Sequence, residues 1–338
     1  MALLLITLFA FAIAITGMPR VVWWMGHACN LRWGAWRTAL VVSRLLRGPI
    51  FDQSLDPSAT IEIPAWRGLL RTEEAVDRAV RLIPSLSGKP WVMRWHTTNI
   101  VVETLIWAGR YRNALAIESA WPAEEAAELL DSPFDQYALV QINLAEALYN
   151  LGSWDEAWVK LAPLDDSAKS NAVTHAGLRV QRAWIAAHQG RGAEAWEFLC
   201  GVRRRDFPAV YRSEYHYARA ATLLVLGRAV EARDEVQDGL DVAKRPSSIR
   251  NGFFMRGRIE LTLGNLEQAE RWFWQGAAHP YHGQGGDGLL LWGDCLERQG
   301  RLEEARKAWE LVLVCDPESE SANSARARLV LDRHEVAS

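Results

Sequence analysis

A chain of 338 residues, 49% hydrophobic and 23% charged, has enough apolar material for a sizeable core and does not have the composition of a disordered protein. Its formal net charge of −3 excludes the overall basic field typical of nucleic-acid binders. Cys29, Cys200, Cys295 and Cys315 form no CxxC pair and no disulfide framework, so they read as free thiols.

The chain begins with an uncharged apolar run, Ala2 to Thr16. With Met1, Gly17 and Met18 it reaches the lower limit, about 17 residues, for crossing ~30 Å of hydrocarbon. Residues 1–19 are therefore expected to form a transmembrane anchor. A cleaved signal peptide is the rival reading, since Ala12 and Ala14 make a small-x-small site, but no Lys or Arg precedes the run. Ala10 and Ala14 also leave a homo-oligomer open through close helix packing. Residues 20–50 are basic and Trp-rich. Arg20, Trp23, Trp24, Arg32, Trp33, Trp36, Arg37, Arg44 and Arg47 suit an amphipathic helix at the membrane interface, held on the cytoplasmic side by its positive charge. The alternative is a cap packed on the first repeat. Only five of the 38 basic residues are lysine, a bias associated with GC-rich bacterial genomes, so the expected location is a bacterial inner membrane, single-pass, with the body of the protein cytoplasmic, or periplasmic after cleavage. Residues 51–65, with Pro57 and Pro64, read as a linker.

From residue 66 to 338 the pattern is periodic. Gly152, Gly190, Gly227, Gly264 and Gly300 lie 38, 37, 37 and 36 residues apart. Each is preceded by a small residue at −7 (Ala145, Ala183, Ala220, Gly257, Gly293) and followed by an alanine at +5 (Ala157, Ala195, Ala232, Ala269, Ala305). Glycine supplies the left-handed turn that ends one helix, and the small pair lets two helix axes approach. Trp154, Leu266 and Leu302, two after the glycine, and Leu161, Leu199, Val236, Phe273 and Trp309, four after the alanine, are expected in the core. Gly109, Tyr111 and Ala114 extend the frame upstream, with Val102 in the small position, and an acidic insertion at 121–136 stretches the next spacing. LLRTEEAVDRAVRLIP, Leu69 to Pro84, looks like a further second helix without a glycine before it. Pro317 to Asp332 reads as a capping helix.

These residues resemble the tetratricopeptide-repeat (TPR) family, most clearly in the last unit, Leu289 to Pro317. The resemblance implies an all-α fold, a right-handed solenoid of helical hairpins, whose first helices line a concave face. On that face it places Asn99, Glu103, Trp107, Glu146, Tyr149, Asn150, Trp184, His188, Tyr217, Arg258, Asp294 and Arg298. It implies protein partners bound by that face. Acids outnumber bases there and lysine is absent, so the expected partner segment carries apolar anchors and some basic residues.

No nucleophile elbow, HExxH or phosphate-loop pattern is present, so no enzyme activity and no cofactor are expected. The loop His279 to Gly288 holds His279, His282 and Asp287 and could ligate a metal, but its glycines equally suit a long turn, so no metal site is assigned. The expected function is a membrane-tethered adaptor or scaffold in a bacterial envelope complex. The alternatives are an exported TPR-like assembly factor and a metal-binding accessory protein using the His279–Asp287 loop.

Overall fold

The computed structural model describes residues 25–30, 34–45, 59–85, 91–118, 136–164 and 172–336, and among them every regular element is helical. After α1 (Trp36–Leu45) come seven helical hairpins and a final helix. The hairpins are α2 (Ala59–Gly68) with α3 (Thr72–Leu82), α4 (Trp91–Trp107) with α5 (Tyr111–Glu118), α6 (Gln136–Asn150) with α7 (Trp154–Leu161), and α8 (Ala172–His188) with α9 (Gly192–Leu199). They continue as α10 (Arg212–Val225) with α11 (Ala229–Val242), α12 (Pro246–Thr262) with α13 (Leu266–Ala277), and α14 (Gly286–Arg298) with α15 (Leu302–Cys315); α16 (Glu320–Val336) ends the stack. The acidic insertion at 121–136 lies almost wholly outside the described residues.

The turns are made as the spacing predicts. Gly109, Gly152, Gly190, Gly227, Gly264 and Gly300 all have φ between 72° and 85°. The residue after each donates its N–H to a carbonyl five positions back, as Arg191 does to Ala186 and Arg228 to Leu223, both at 2.8 Å. In the first hairpin Leu70 takes the glycine's place at φ 62°, and Arg71 makes the same bond to Trp66 at 2.8 Å.

The small residues lie where the helices of each hairpin cross. Ala183, Ala195, Ala220 and Ala232 are fully buried. A β-carbon on Gly257 would come within 2.6 Å of Phe273, and one on Gly293 within 2.2 Å of Trp309. Leu161, Leu199, Val236, Phe273 and Trp309 are buried as expected, whereas Leu302 is half exposed at the hairpin edge.

The N-terminal expectations need correction. No helix among the described residues is long and apolar enough to cross a membrane, which overturns the single-pass inner-membrane placement. Residues 1–19, with Arg20, Trp23, Trp24, Arg32, Trp33 and Arg47, lie outside the described residues. Within α1, which includes Arg44, the apolar face is taken up by protein: Ala39 and Val42 are buried with Cys29, Ile61 and Ala65. The Trp36 ring packs so closely on Gly68 that a β-carbon there would lie 2.1 Å from it, Arg37 is exposed, and Ser43 Oγ donates to Glu62 at 3.3 Å. Helix α1 thus packs its apolar face on the first hairpin. The expected linker is helical from Ala59, with Ile61 and Ile63 fully buried and Pro64 accommodated inside α2.

The stack curls until its C-terminal end meets the second hairpin. Arg112 N–H donates to Glu318 at 2.9 Å, and the Tyr281 hydroxyl donates to the Trp107 carbonyl at 2.6 Å. The rings of Trp107 and Tyr281 pack 4.7 Å apart. The loop His279 to Gly288 makes this seam. Arg250, 1% exposed, secures the loop by donating to the carbonyls of Gly276 (3.1 Å), Gly283 (2.6 Å) and Gln284.

Candidate functional site

Closure turns the concave face into an interior cavity of about 500 Å³. Its lining comes from the first helix of each hairpin from α2 to α14, together with α1 and residues just before it, the turns before α10 and α12, the loop before α14 and the start of α16. The inner-face residues named from the sequence converge on it: Asn99, Glu103, Trp107, Glu146, Tyr149, Asn150, Trp184, His188, Tyr217 and Arg258 all line this one space. Asp294 and Arg298 do not. Asp294 is 2.7 Å from Arg328 and accepts from the Trp309 ring N–H at 3.3 Å, because α16 covers the inner side of the last hairpin.

The lining is not uniformly available to a ligand. Trp107 and Tyr217 are 3% and 1% exposed and belong to the core. Glu103 meets Arg67 at 2.8 Å, Arg245 at 3.1 Å and the Tyr211 hydroxyl at 2.9 Å. Burial by itself would raise its pKa, but the two guanidinium charges outweigh that and hold it down at about 2. Glu146 differs. It accepts a bond from the Gln284 amide at 3.1 Å, and burial, reinforced by Glu214, pushes it above the usual carboxylate range. Burial also raises Asp316 to about 6 against the opposing Gly286 N–H, which donates to it at 3.1 Å.

At one end of the cavity His27 and His96 place their Nε2 atoms 3.3 Å apart, and burial, then the neighbouring His96, lowers His27 to about 3, so it is neutral. At the other end Tyr149 bonds His188 at 3.2 Å while Trp154 packs edge-on against the same imidazole.

Arg67, Tyr211, Arg245, Gln284, Asp316 and Glu320 are lining residues that the repeat register did not point to. Most lie in turns or in α16, outside the first helices, and the glycine-rich composition of the 279–288 loop was the available signal. That loop gathers no metal set. Among the described residues the one three-residue grouping with ligand atoms close together is His216, Glu235 and Asp238. There Glu235 already meets Arg219 at 2.6 Å. His279 Nδ1 instead accepts the Tyr281 N–H at 3.1 Å.

The tetratricopeptide-repeat family profile matches residues 138–157 and 213–238, which fall on hairpins α6–α7 and α10–α11. The repeats are TPR-like. No curated protein matches the chain. Solved structures similar to this TPR-like protein include the APC/C hetero-tetramer Cut9–Hcn1, at 12% identity and a TM-score of 0.54, over 89% of this chain and 53% of that one. This chain therefore spans about half the length of that neighbour. A Rap protein complexed with Competence and Sporulation Factor matches at 12% identity and a TM-score of 0.55, over 79% of this chain and 78% of that one. At such identities the likeness is one of fold.

Proposed function

We propose that this TPR-like protein is a protein–protein interaction adaptor that encloses a short segment of its partner in the interior cavity. The observation that carries the reading is the convergence of the inner helices of successive hairpins on one space of about 500 Å³. That volume suits a few residues of extended chain rather than a folded domain. Trp184, Tyr149 and His188 supply aromatic surface of the kind that anchors interfaces. Both solved neighbours are, by their descriptions, complexes with another molecule, Hcn1 in one case and Competence and Sporulation Factor in the other.

The test is co-purification with full-length protein from its own cells, followed by mapping of the captured partner on a peptide array. A single partner segment should compete for binding, and Trp184→Ala with Tyr149→Ala should abolish capture while the helical circular-dichroism signal stays unchanged. Capture that survives the double substitution in a folded protein overturns the cavity as the binding site.

A further inference from the structure

The cavity carries more negative charge than it neutralises. Glu103, Glu146, Glu214, Asp287, Asp316 and Glu320 face it, against Arg67, Arg245 and Arg258, a formal surplus of three negative charges. Glu103 uses two of those arginines directly. Glu146 and Glu214 accept hydrogen bonds from neutral groups, the Gln284 amide at 3.1 Å and the Ser248 hydroxyl at 2.6 Å, and share the field of Arg245, which itself bonds Glu103. Glu214 is close enough to Glu146 to disfavour its charge.

A second observation points the same way. The flanking rings of Tyr149 and Trp184, both partly exposed, offer surfaces that favour a cation and the methylenes behind it. Partial burial strengthens each of these attractions relative to water.

We propose that the cavity is specific for a basic side chain, the guanidinium of arginine or the ammonium of lysine, carried by the partner segment and received by Glu146 and Glu214. This rests on the adaptor reading above and names the chemistry that the adaptor selects. An acidic segment is rejected by the same carboxylates, which gives the site its discrimination.

Selection of random dodecapeptides displayed on phage against the full-length protein tests both readings separately. Peptides whose binding is lost in the Trp184→Ala, Tyr149→Ala variant are expected to be enriched in arginine or lysine beside aliphatic residues. In the tightest of them, replacing the basic residue by citrulline or norleucine should weaken binding at least tenfold to the wild type. The same replacement should have little effect on a Glu146→Gln, Glu214→Gln variant, which keeps the Gln284 and Ser248 hydrogen bonds. Cavity-dependent peptides without basic residues, or indifference to citrulline and norleucine, overturn the cation proposal and leave the adaptor standing. Failure to select any cavity-dependent peptide overturns both. The peptide substitution requires no change in the protein, so a folding defect in the glutamine variant does not rescue the proposal.

Discussion

A carboxylate at the centre of a closed ring of repeats needs its charge met, and Glu103 draws on separate parts of the chain to do so: Arg67 from α2, Tyr211 just before α10 and Arg245 just before α12. Asp316 has no such arrangement. It is buried and receives the Gly286 N–H, with Tyr111, Arg250 and Asp287 as its titratable neighbours, and its pKa stands at about 6 rather than the ordinary 3.8. A carboxyl whose folded pKa is raised binds its proton more tightly in the folded state. Its contribution to stability is fully present below about pH 4, is lost as pH rises to about 6, and is constant above that. The shift corresponds to about 2–3 kcal/mol. Asp316→Asn keeps an acceptor for Gly286 and removes the charge. The difference in Tm between variant and wild type should therefore move in the variant's favour between pH 4 and 6 and then level off. A difference that moves the other way with rising pH would show that the ionised carboxylate stabilises the fold.

At the scale of the element, the turn decides the hairpin. Six hairpins place glycine in the left-handed conformation, and the first places Leu70 there at φ 62°. A side chain with a β-carbon costs roughly 1–2 kcal/mol in that region, and glycine returns part of it by enlarging the unfolded ensemble. Leu70→Gly is therefore expected to stabilise the protein by about 0.5–1 kcal/mol, read as a higher denaturation midpoint with unchanged slope. A lower midpoint would mean that the leucine side chain contributes more packing than its backbone conformation costs.

The hairpins were legible in the sequence because each turn makes a local demand that only glycine meets cheaply, and each crossing a local demand for small residues. The inner-face residues followed from the same register. The errors have physical causes too. The apolar stripe of α1 is the same whether lipid or Ile61 and Ala65 receive it, and Asp294 sits at an inner-face position that α16 happens to cover. Pairing of Glu103 with Arg245 was not legible, because it joins residues 142 positions apart whose proximity depends on rotation accumulated over several repeats.

Closure is the property of the whole molecule, and it belongs to no single repeat. In an open solenoid each hairpin touches only its neighbours, and stability is close to a sum of local terms. Here Tyr281 reaches Trp107 across 174 positions and Arg112 reaches Glu318 across 206. The seam is tightest at Gly283, where a β-carbon would lie 2.1 Å from the Trp107 carbonyl oxygen and 2.7 Å from the Tyr281 hydroxyl. Backbone carbonyl and added side chain cannot share that space, so Gly283→Val must displace the loop from α4. Overpacking of this kind costs about 1–3 kcal/mol, which is confined to the seam because the hairpins keep their own cores. The expected outcome is a ring that opens: a larger radius of gyration by small-angle X-ray scattering, faster amide exchange at the C-terminal end of α4 and in residues 279–288, and unchanged helical content. The pairing of Glu103 with Arg245 spans the same interior, so opening should also weaken any segment held in the cavity. A Gly283→Val protein with wild-type dimensions and unaltered exchange at the C-terminal end of α4 would show that the ring is held by contacts other than this seam.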